Sequence, residues 1–177
     1  MPTSRHPILT EEELDFLGCM PEESPPKADC LSSAASQLDR WALIVEDDPL
    51  IRSELASAIS RQGILCWHAC QLGEVRRRMD DETPPSIVFL DLRLPDGNGM
   101  ELLKDSRFQR WKQFHGVQVV VITGHGTVAL AEEAVGQGAL AFLNKPVSLR
   151  KIKAVTREGL SRRDAELGVE LGKDACS

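Results

Sequence analysis

The side chains with the most chemistry to offer stand directly after short apolar runs. Glu46, Asp47 and Asp48 follow Trp41-Ala42-Leu43-Ile44-Val45, and Asp91 follows Ser86-Ile87-Val88-Phe89-Leu90. Thr123 follows Val117-Gln118-Val119-Val120-Val121-Ile122, and Asn144-Lys145-Pro146 follows Leu140 to Leu143. Taken singly, each has an ordinary reading. An acidic triplet before a helix is a common N-cap, an Asp at a strand end is a common turn residue, and Lys145-Pro146 marks a loop. Taken in order, they describe a site. Two carboxylates about 4 Å apart repel by roughly 4 kcal/mol at an effective dielectric of 20, and three together demand counter-charge. Lys145 supplies one positive group. A hard divalent cation with oxygen ligands supplies the rest, and Mg²⁺ suits because it pairs carboxylates with phosphoryl oxygens and keeps waters. A carboxylate beside Mg²⁺, a lysine and a threonine hydroxyl is an acceptor site for a phosphoryl group.

Such a set must be held by elements that bring strand ends together. The run 41–45 predicts a buried parallel strand. Ile51, Leu55, Ala58 and Ile59 recur at helical spacing, and Gly63 closes that helix. Ile64 to His68 predicts strand two, Leu72 to Met79 helix two, and 86–90 strand three. Pro95 to Gly99 predicts a loop, Met100 to about Phe108 helix three, and the β-branched run 117–122 strand four. Gly124 to Gly126 predicts a loop, Val128 to Gln137 helix four, Leu140 to Leu143 strand five, and Ser148 to about Arg163 helix five. Five β-α units in series predict an α/β fold, a doubly wound parallel sheet with helices on both faces. In such sheets ligands bind outside the carboxyl ends of the strands, which is where these polar residues fall.

Composition bounds the rest. The chain has 177 residues, 42% of them apolar, with a net charge of -6. That predicts one domain plus an extension. No apolar run approaches the ~20 residues of a membrane span, and the first residues lack the apolar core of a secretory signal. The acidic balance argues against direct nucleic-acid binding. Five cysteines without framework spacing read as reduced thiols in a cytoplasm. Residues 1–40 hold eight acids and three bases, and five of the ten prolines. We therefore expect an acidic, Pro/Ser-rich leader over 1–38, a folded domain over 39–165, and a tail over 166–177. Within the leader, Thr10 and Glu13 fit a capping box, which predicts a short helix at 10–17. That helix would span about two turns, too short to be stable alone.

The motifs Leu-Ile-Val-Glu46-Asp47-Asp48, Val-Phe-Leu-Asp91-Leu-Arg-Leu-Pro95-Asp-Gly-Asn-Gly99, Val-Ile-Thr123-Gly124 and Phe142-Leu-Asn-Lys145-Pro146 resemble the receiver domain of bacterial two-component response regulators. The resemblance spans residues 40 to about 163. It implies a flavodoxin-like (βα)5 fold with strand order 2-1-3-4-5. It also implies that Asp91 is the phosphoacceptor, taking its phosphoryl group from a sensor histidine kinase or a histidine phosphotransfer protein. Asp47 would ligate Mg²⁺ directly, Glu46 through water, and the backbone carbonyl of Arg93 would add a further ligand beside Asp91. Lys145 would contact the phosphoryl group, with a cis bond to Pro146, and Thr123 would hydrogen-bond a phosphoryl oxygen. Phe142 takes the aromatic switch position. As it turned inward, the face of helix four, strand five and helix five would change shape for a downstream protein or a second copy of the chain. Such a protein is not an enzyme in the usual sense, since it catalyses only its own phosphorylation and dephosphorylation. With fourteen residues after Arg163, output is expected through protein contact, with no nucleic acid and no membrane.

Several features stand apart. Glu46 takes the place of an Asp in the usual acid pair, and Phe142 lacks a tyrosine hydroxyl. The stretch carrying Phe108, Trp111 and Phe114 looks long and is expected to pack under a loop, with a partner contact as the alternative. Cys66, His68 and Cys70 are soft metal ligands without an evident fourth. Arg76-Arg77-Arg78 and the basic residues of helix five read as solvated faces, although the acidic leader could lie against helix five. His125 is given no catalytic role. Residues 8–17 faintly resemble the N-terminal peptide of flagellar motor switch proteins, which implies docking on the face of helix four, strand five and helix five. Two other classes compete: a pseudo-receiver that binds partners without phosphate, and an aspartyl phosphohydrolase. The second would place an Asp where Arg93 stands. No Gly-x-x-x-x-Gly-Lys-Ser/Thr loop is present, which excludes a P-loop enzyme.

Overall fold

The computed structural model describes residues 40–80 and 83–168. The expected leader with its helix at 10–17, and tail residues 169–177, lie outside the described residues. The elements run β1 (Trp41–Val45), α1 (Pro49–Ser60), β2 (Leu65–Ala69), α2 (Leu72–Arg78), β3 (Ile87–Leu90), β4 (Arg93–Leu94), β5 (Gly97–Asn98), α3 (Gly99–Lys104), α4 (Ser106–His115), β6 (Gln118–Thr123), α5 (Val128–Gly136), β7 (Ala141–Asn144) and α6 (Leu149–Glu166). The main sheet has order β2-β1-β3-β6-β7, and every neighbouring pair is parallel. Setting aside the two-residue hairpin β4–β5, this is the 2-1-3-4-5 order of a doubly wound flavodoxin-like fold.

The central strands are apolar along their whole length because both faces are covered. Leu43, Val45, Val88, Leu90, Val119 and Val121 pack with α2 to α5 on one side. Ala42, Ile44, Ile87, Phe89, Val120 and Ile122 pack with α1 and α6 on the other. Each large side chain so buried contributes about 1.5–3 kcal/mol relative to exposure. Gly159 lets α6 approach closely: a Cβ there would sit 2.8 Å from Ile87 Cδ1. The guanidinium of Arg40 donates to the buried Asp164 carboxylate at 2.8 Å, which pins the chain's entry into β1 against the last turns of α6.

One expectation is corrected. Helix three does not continue to Phe108. Asp105 adopts an extended conformation (ψ 127°) and its side chain accepts from Arg107 N, so it ends α3 and caps α4. The aromatic stretch is therefore a helix, with Phe108 and Trp111 buried and Phe114 exposed. Lys112 of α4 donates to the carbonyl of Gln137, just past α5, at 2.5 Å. Burial there pushes its ammonium below the ordinary 10.5, against the pull of Glu166. Among the described residues Cys66 is a free thiol, pushed up by burial.

Candidate functional site

A cleft opens at the carboxyl end of the sheet. It is lined by Glu46, Asp47, Asp48, Ile51, Asp91, Arg93, Thr123, Gly124, His125 and Lys145. The acidic triplet divides its labour. Asp48 is the N-cap of α1, its Oδ1 accepting from Leu50 N at 2.8 Å and Ile51 N at 3.2 Å. Both readings of the triplet thus hold, on different residues. Glu46 points inward and is 1% exposed, while Asp47 is exposed. Their backbone is clamped by Arg52 of α1, which donates to the carbonyls of Glu46 at 2.8 Å and Asp47 at 3.2 Å.

Lys145 is the electrostatic centre. Its Nζ lies 2.6 Å from Glu46 Oε2 and 2.5 Å from Asp91 Oδ2, although 99 and 54 residues separate the partners. Burial pushes the Glu46 carboxyl above its ordinary 4.5, and the Asp91 charge adds to this. The hydrogen bond and charge of Lys145 oppose both. For Lys145, burial favours the neutral amine, but bonds and charges from Asp91 and Glu46 outweigh it and hold the ammonium above 10.5. Thr123 is buried, and its Oγ1 accepts from His125 N at 3.3 Å. Its carbonyl accepts from Lys145 N at 2.9 Å, which locks β6 and β7 in register at the rim.

The loop after Asp91 is held from outside the cleft. Arg93 N donates to Asp91 Oδ1 at 3.1 Å, and the hairpin β4–β5 follows. Asp96 then reaches α2, where the N-cap Gln71 offers no side-chain bond. Its two carboxylate oxygens accept from Leu72 N and Gly73 N, each at 2.8 Å. Replacing Asp96 by Ala removes that remote cap. We expect a loss of about 1 kcal/mol, measured as a shift in the urea midpoint with an unchanged slope.

Residues 42–157 match the family described as the response regulator receiver domain. The chain belongs to that family. Its receiver is 33% identical over 114 residues to the photosynthetic apparatus regulatory protein RegA of Cereibacter sphaeroides, covering 64% of this chain and 59% of that protein. It is 34% identical over 125 residues to the response regulator protein PilR of Pseudomonas aeruginosa, covering 71% of this chain and 27% of that one. The chain thus spans a quarter to three fifths of the length of these curated relatives. Among solved structures, the receiver domain of a LuxO-type repressor from Vibrio parahaemolyticus superposes with a TM-score of 0.64 at 26% identity, over 75% of this chain and 98% of that one. A CheY-like receiver from Methanospirillum hungatei gives 0.63 at 25% identity, over 72% and 98%.

The receiver's sequence-expected residues fall into two groups. Glu46, Asp47, Asp91, Arg93, Thr123 and Lys145 share the cleft. Phe142 and Pro146 do not line it. Phe142 is half-buried on β7, packed against the first apolar cluster. A Cβ on Gly126 would sit 2.6 Å from its ring and closer still to Asn144 Oδ1, so any larger residue there would displace both side chains of β7. The Lys145–Pro146 peptide is cis. The roles of Arg52, Asp96 and Gly99 are not legible in the sequence. Arg52 and Gly99 meet backbone atoms of the site and Asp96 meets the backbone of α2, and no local pattern advertises such contacts. His125 lines the cleft mouth and is exposed.

The donor set fits a divalent cation. Carboxylate oxygens of Glu46, Asp47 and Asp91 lie within 4.8 Å of one another, and they form the one such group of potential ligands among the described residues. Three carboxylates against Lys145 leave two negative charges uncompensated, and hard oxygen donors of this kind suit Mg²⁺. Cys66, His68 and Cys70 form no comparable group among the described residues.

Proposed function

We propose that the chain is a receiver that takes a phosphoryl group on Asp91 from a histidine kinase or histidine phosphotransfer protein. The observation that carries this reading is the contact of one ammonium, Lys145 Nζ, with both Asp91 and Glu46 in an open acidic cleft. Asp91 Oδ2 would attack phosphorus, and the bond from phosphorus to the donor imidazole would break as the acyl phosphate forms. Asp47 would hold Mg²⁺ directly and Glu46 through water, with Asp91 and the carbonyl of Arg93 completing the protein ligands. When bound, the ion neutralises charge on the phosphoryl oxygens.

The chain's own residues do the positioning. Lys145 sits between the acceptor and the buried Glu46, ready to pair with a phosphoryl oxygen as negative charge arrives. Thr123 offers a hydroxyl from the neighbouring strand end. As Thr123 turned toward the phosphoryl group, the Gly124–Gly126 loop would move against Phe142, and the face of α5, β7 and α6 would change its packing. With no tyrosine hydroxyl, that change works through ring packing alone. Downstream, we read a cytoplasmic signal delivered by protein contact, through that face, to a partner or a second copy, with no direct nucleic-acid or membrane binding. No helix among the described residues is long and apolar enough to cross a membrane. The only chemistry catalysed would be the chain's own phosphorylation and dephosphorylation. The leader (1–38), receiver (39–165) and tail (166–177) division belongs to the same proposal.

Intact mass tests the reading. After incubation with acetyl phosphate and Mg²⁺, the wild type is expected to gain one phosphoryl group and Asp91→Asn none. Absence of any gain from acetyl phosphate and from a phosphorylated histidine phosphotransfer protein alike would overturn it.

A further inference from the structure

The exposed face of α6 carries charge that the described residues do not answer. Arg150, Lys153 and Arg157 fall at i, i+3 and i+7, on one side of the helix, with Lys151 at the other edge of the solvent-facing arc, and all four are exposed. Other basic groups of α6 are engaged: Arg162 pairs with Glu158 at 3.0 Å, and Arg163 donates to the carbonyl of His115 at 3.2 Å. The four do not share in this. Among the described residues none of them makes an ion pair, so like charges stand side by side over about two turns.

The complement is in the same chain. Residues 1–39 hold eight acids and two bases, and four of those acids, Glu11, Glu12, Glu13 and Asp15, fall within five positions. We propose that this acidic segment, residues 11–15, lies in cis along the exposed basic face of α6, against Arg150, Lys151, Lys153 and Arg157. The point of attachment favours it. Arg40, where the segment joins the domain, is held 2.8 Å from Asp164 near the C-terminal end of α6. From there to Arg150 the helix runs back about 21 Å at 1.5 Å per residue. The chain between Asp15 and Arg40 can extend roughly 80 Å at 3.3 Å per residue, so it reaches without strain. Closing a loop of this length costs little more than closing a shorter one. Tethering raises the local concentration of the segment to the millimolar range, so a modest electrostatic contact stays formed at low salt. Acids near Arg150 also meet the positive end of the α6 dipole. The contact would screen the basic face from any acidic partner surface until displaced.

A zero-length carbodiimide, which joins carboxylates to amines in contact, tests the docking on the full chain. An equal mixture of unlabelled and ¹⁵N-labelled protein separates cis from trans. Crosslinks from Glu11, Glu12, Glu13 or Asp15 to Lys151 or Lys153 are expected within single chains. They are expected to be lost in 1 M NaCl, where the screening length falls to about 3 Å. They are also expected to be lost in the double variant R150E and R157E, which changes only exposed positions and leaves both lysines and all four acids unchanged in sequence. The Lys104–Glu133 pair, 2.7 Å apart, serves as the internal control. The proposal is overturned if that control links while Lys151 and Lys153 do not. It is equally overturned if the leader crosslinks join only different chains, or if they persist undiminished in the double variant. No phosphoryl group enters the experiment, so its outcome is independent of the reading of Asp91.

Discussion

Lys145→Met is expected to destabilise the metal-free protein by about 3–5 kcal/mol at neutral pH, the cost of removing one partner from a buried ionic cluster. The ammonium lies 2.5–2.6 Å from two carboxylates whose side chains are 7% and 2% exposed. Methionine fills much of the lysine stem's volume but leaves Glu46 and Asp91 facing each other without a counter-charge. Denaturant unfolding in the presence of a chelator reads the effect directly. If the variant matched the wild type within about 0.5 kcal/mol, Lys145 would be a solvated rim residue and the electrostatic account of the cleft would fail.

The pH dependence of that variant carries a second, signed expectation. Burial already holds Glu46 above 4.5 in the folded wild type. A folded carboxyl that binds its proton more tightly than the unfolded one loses stability as pH rises from 4.5 through the raised value. Lys145 opposes that shift, so its removal raises the Glu46 value further. The penalty in Lys145→Met should therefore shrink as pH falls toward 4.5, where Glu46 is protonated. The wild type has a complementary limit at high pH. Lys145 is held above 10.5, so its contribution is fully present below 10.5 and is lost as pH rises through the folded value. Difference curves between variant and wild type cancel the carboxylates that lie away from Lys145 and leave the cluster it forms with Glu46 and Asp91.

The sheet was legible because its central strands are buried on both sides. A run such as Leu43-Ile44-Val45 or Val119-Val120-Val121 has no polar face to conceal its period, and each ends where the polar cleft begins. The cleft acids and Lys145 were legible for the same reason: their order along the chain follows the strand ends. The acidic triplet was legible only as a group, since three adjacent carboxylates do not say which one caps α1. The break at Asp105 was not legible. Leu102 to Trp111 is compatible with one continuous helix, and the kink depends on the side chain of Asp105 capping Arg107 N and that of Gln109 bonding the carbonyl of Leu103. Asp96 could not be assigned its role either, because the helix it caps lies 23 to 24 residues earlier. Local periodicity carries the elements; contacts between distant backbone atoms carry the fine placement of the site.

Gly99 shows how much that fine placement matters. A Cβ at this position would sit 2.3 Å from the backbone carbonyl oxygen of Asp91 and 3.1 Å from Leu92 Cα. The obstacle is backbone, not the tip of a flexible side chain, and Gly99 N also donates to Leu92 O at 2.9 Å. Gly99→Ala must therefore push the start of α3 away from β3 or move Asp91 itself by about 1 Å. Overpacking of this kind costs about 1–3 kcal/mol, and helix propensity, which favours Ala by up to ~1 kcal/mol, does not offset it. The larger effect is expected on function, because a displacement of about 1 Å at a reacting group can cost about 100-fold in rate. Asp91 would still be present, and Glu46 and Lys145 would still be charged, but Asp91 Oδ2 would no longer be held against Lys145 Nζ. The rate of phosphoryl gain from acetyl phosphate, followed by intact mass at saturating Mg²⁺, should fall by about that factor while the variant remains folded. A variant that loses stability but keeps its rate would place the strain in α3 and leave the acceptor where it is. A variant that keeps both would mean that the loop after β3 yields without consequence, and that the close approach of Gly99 to Asp91 does not position the acceptor.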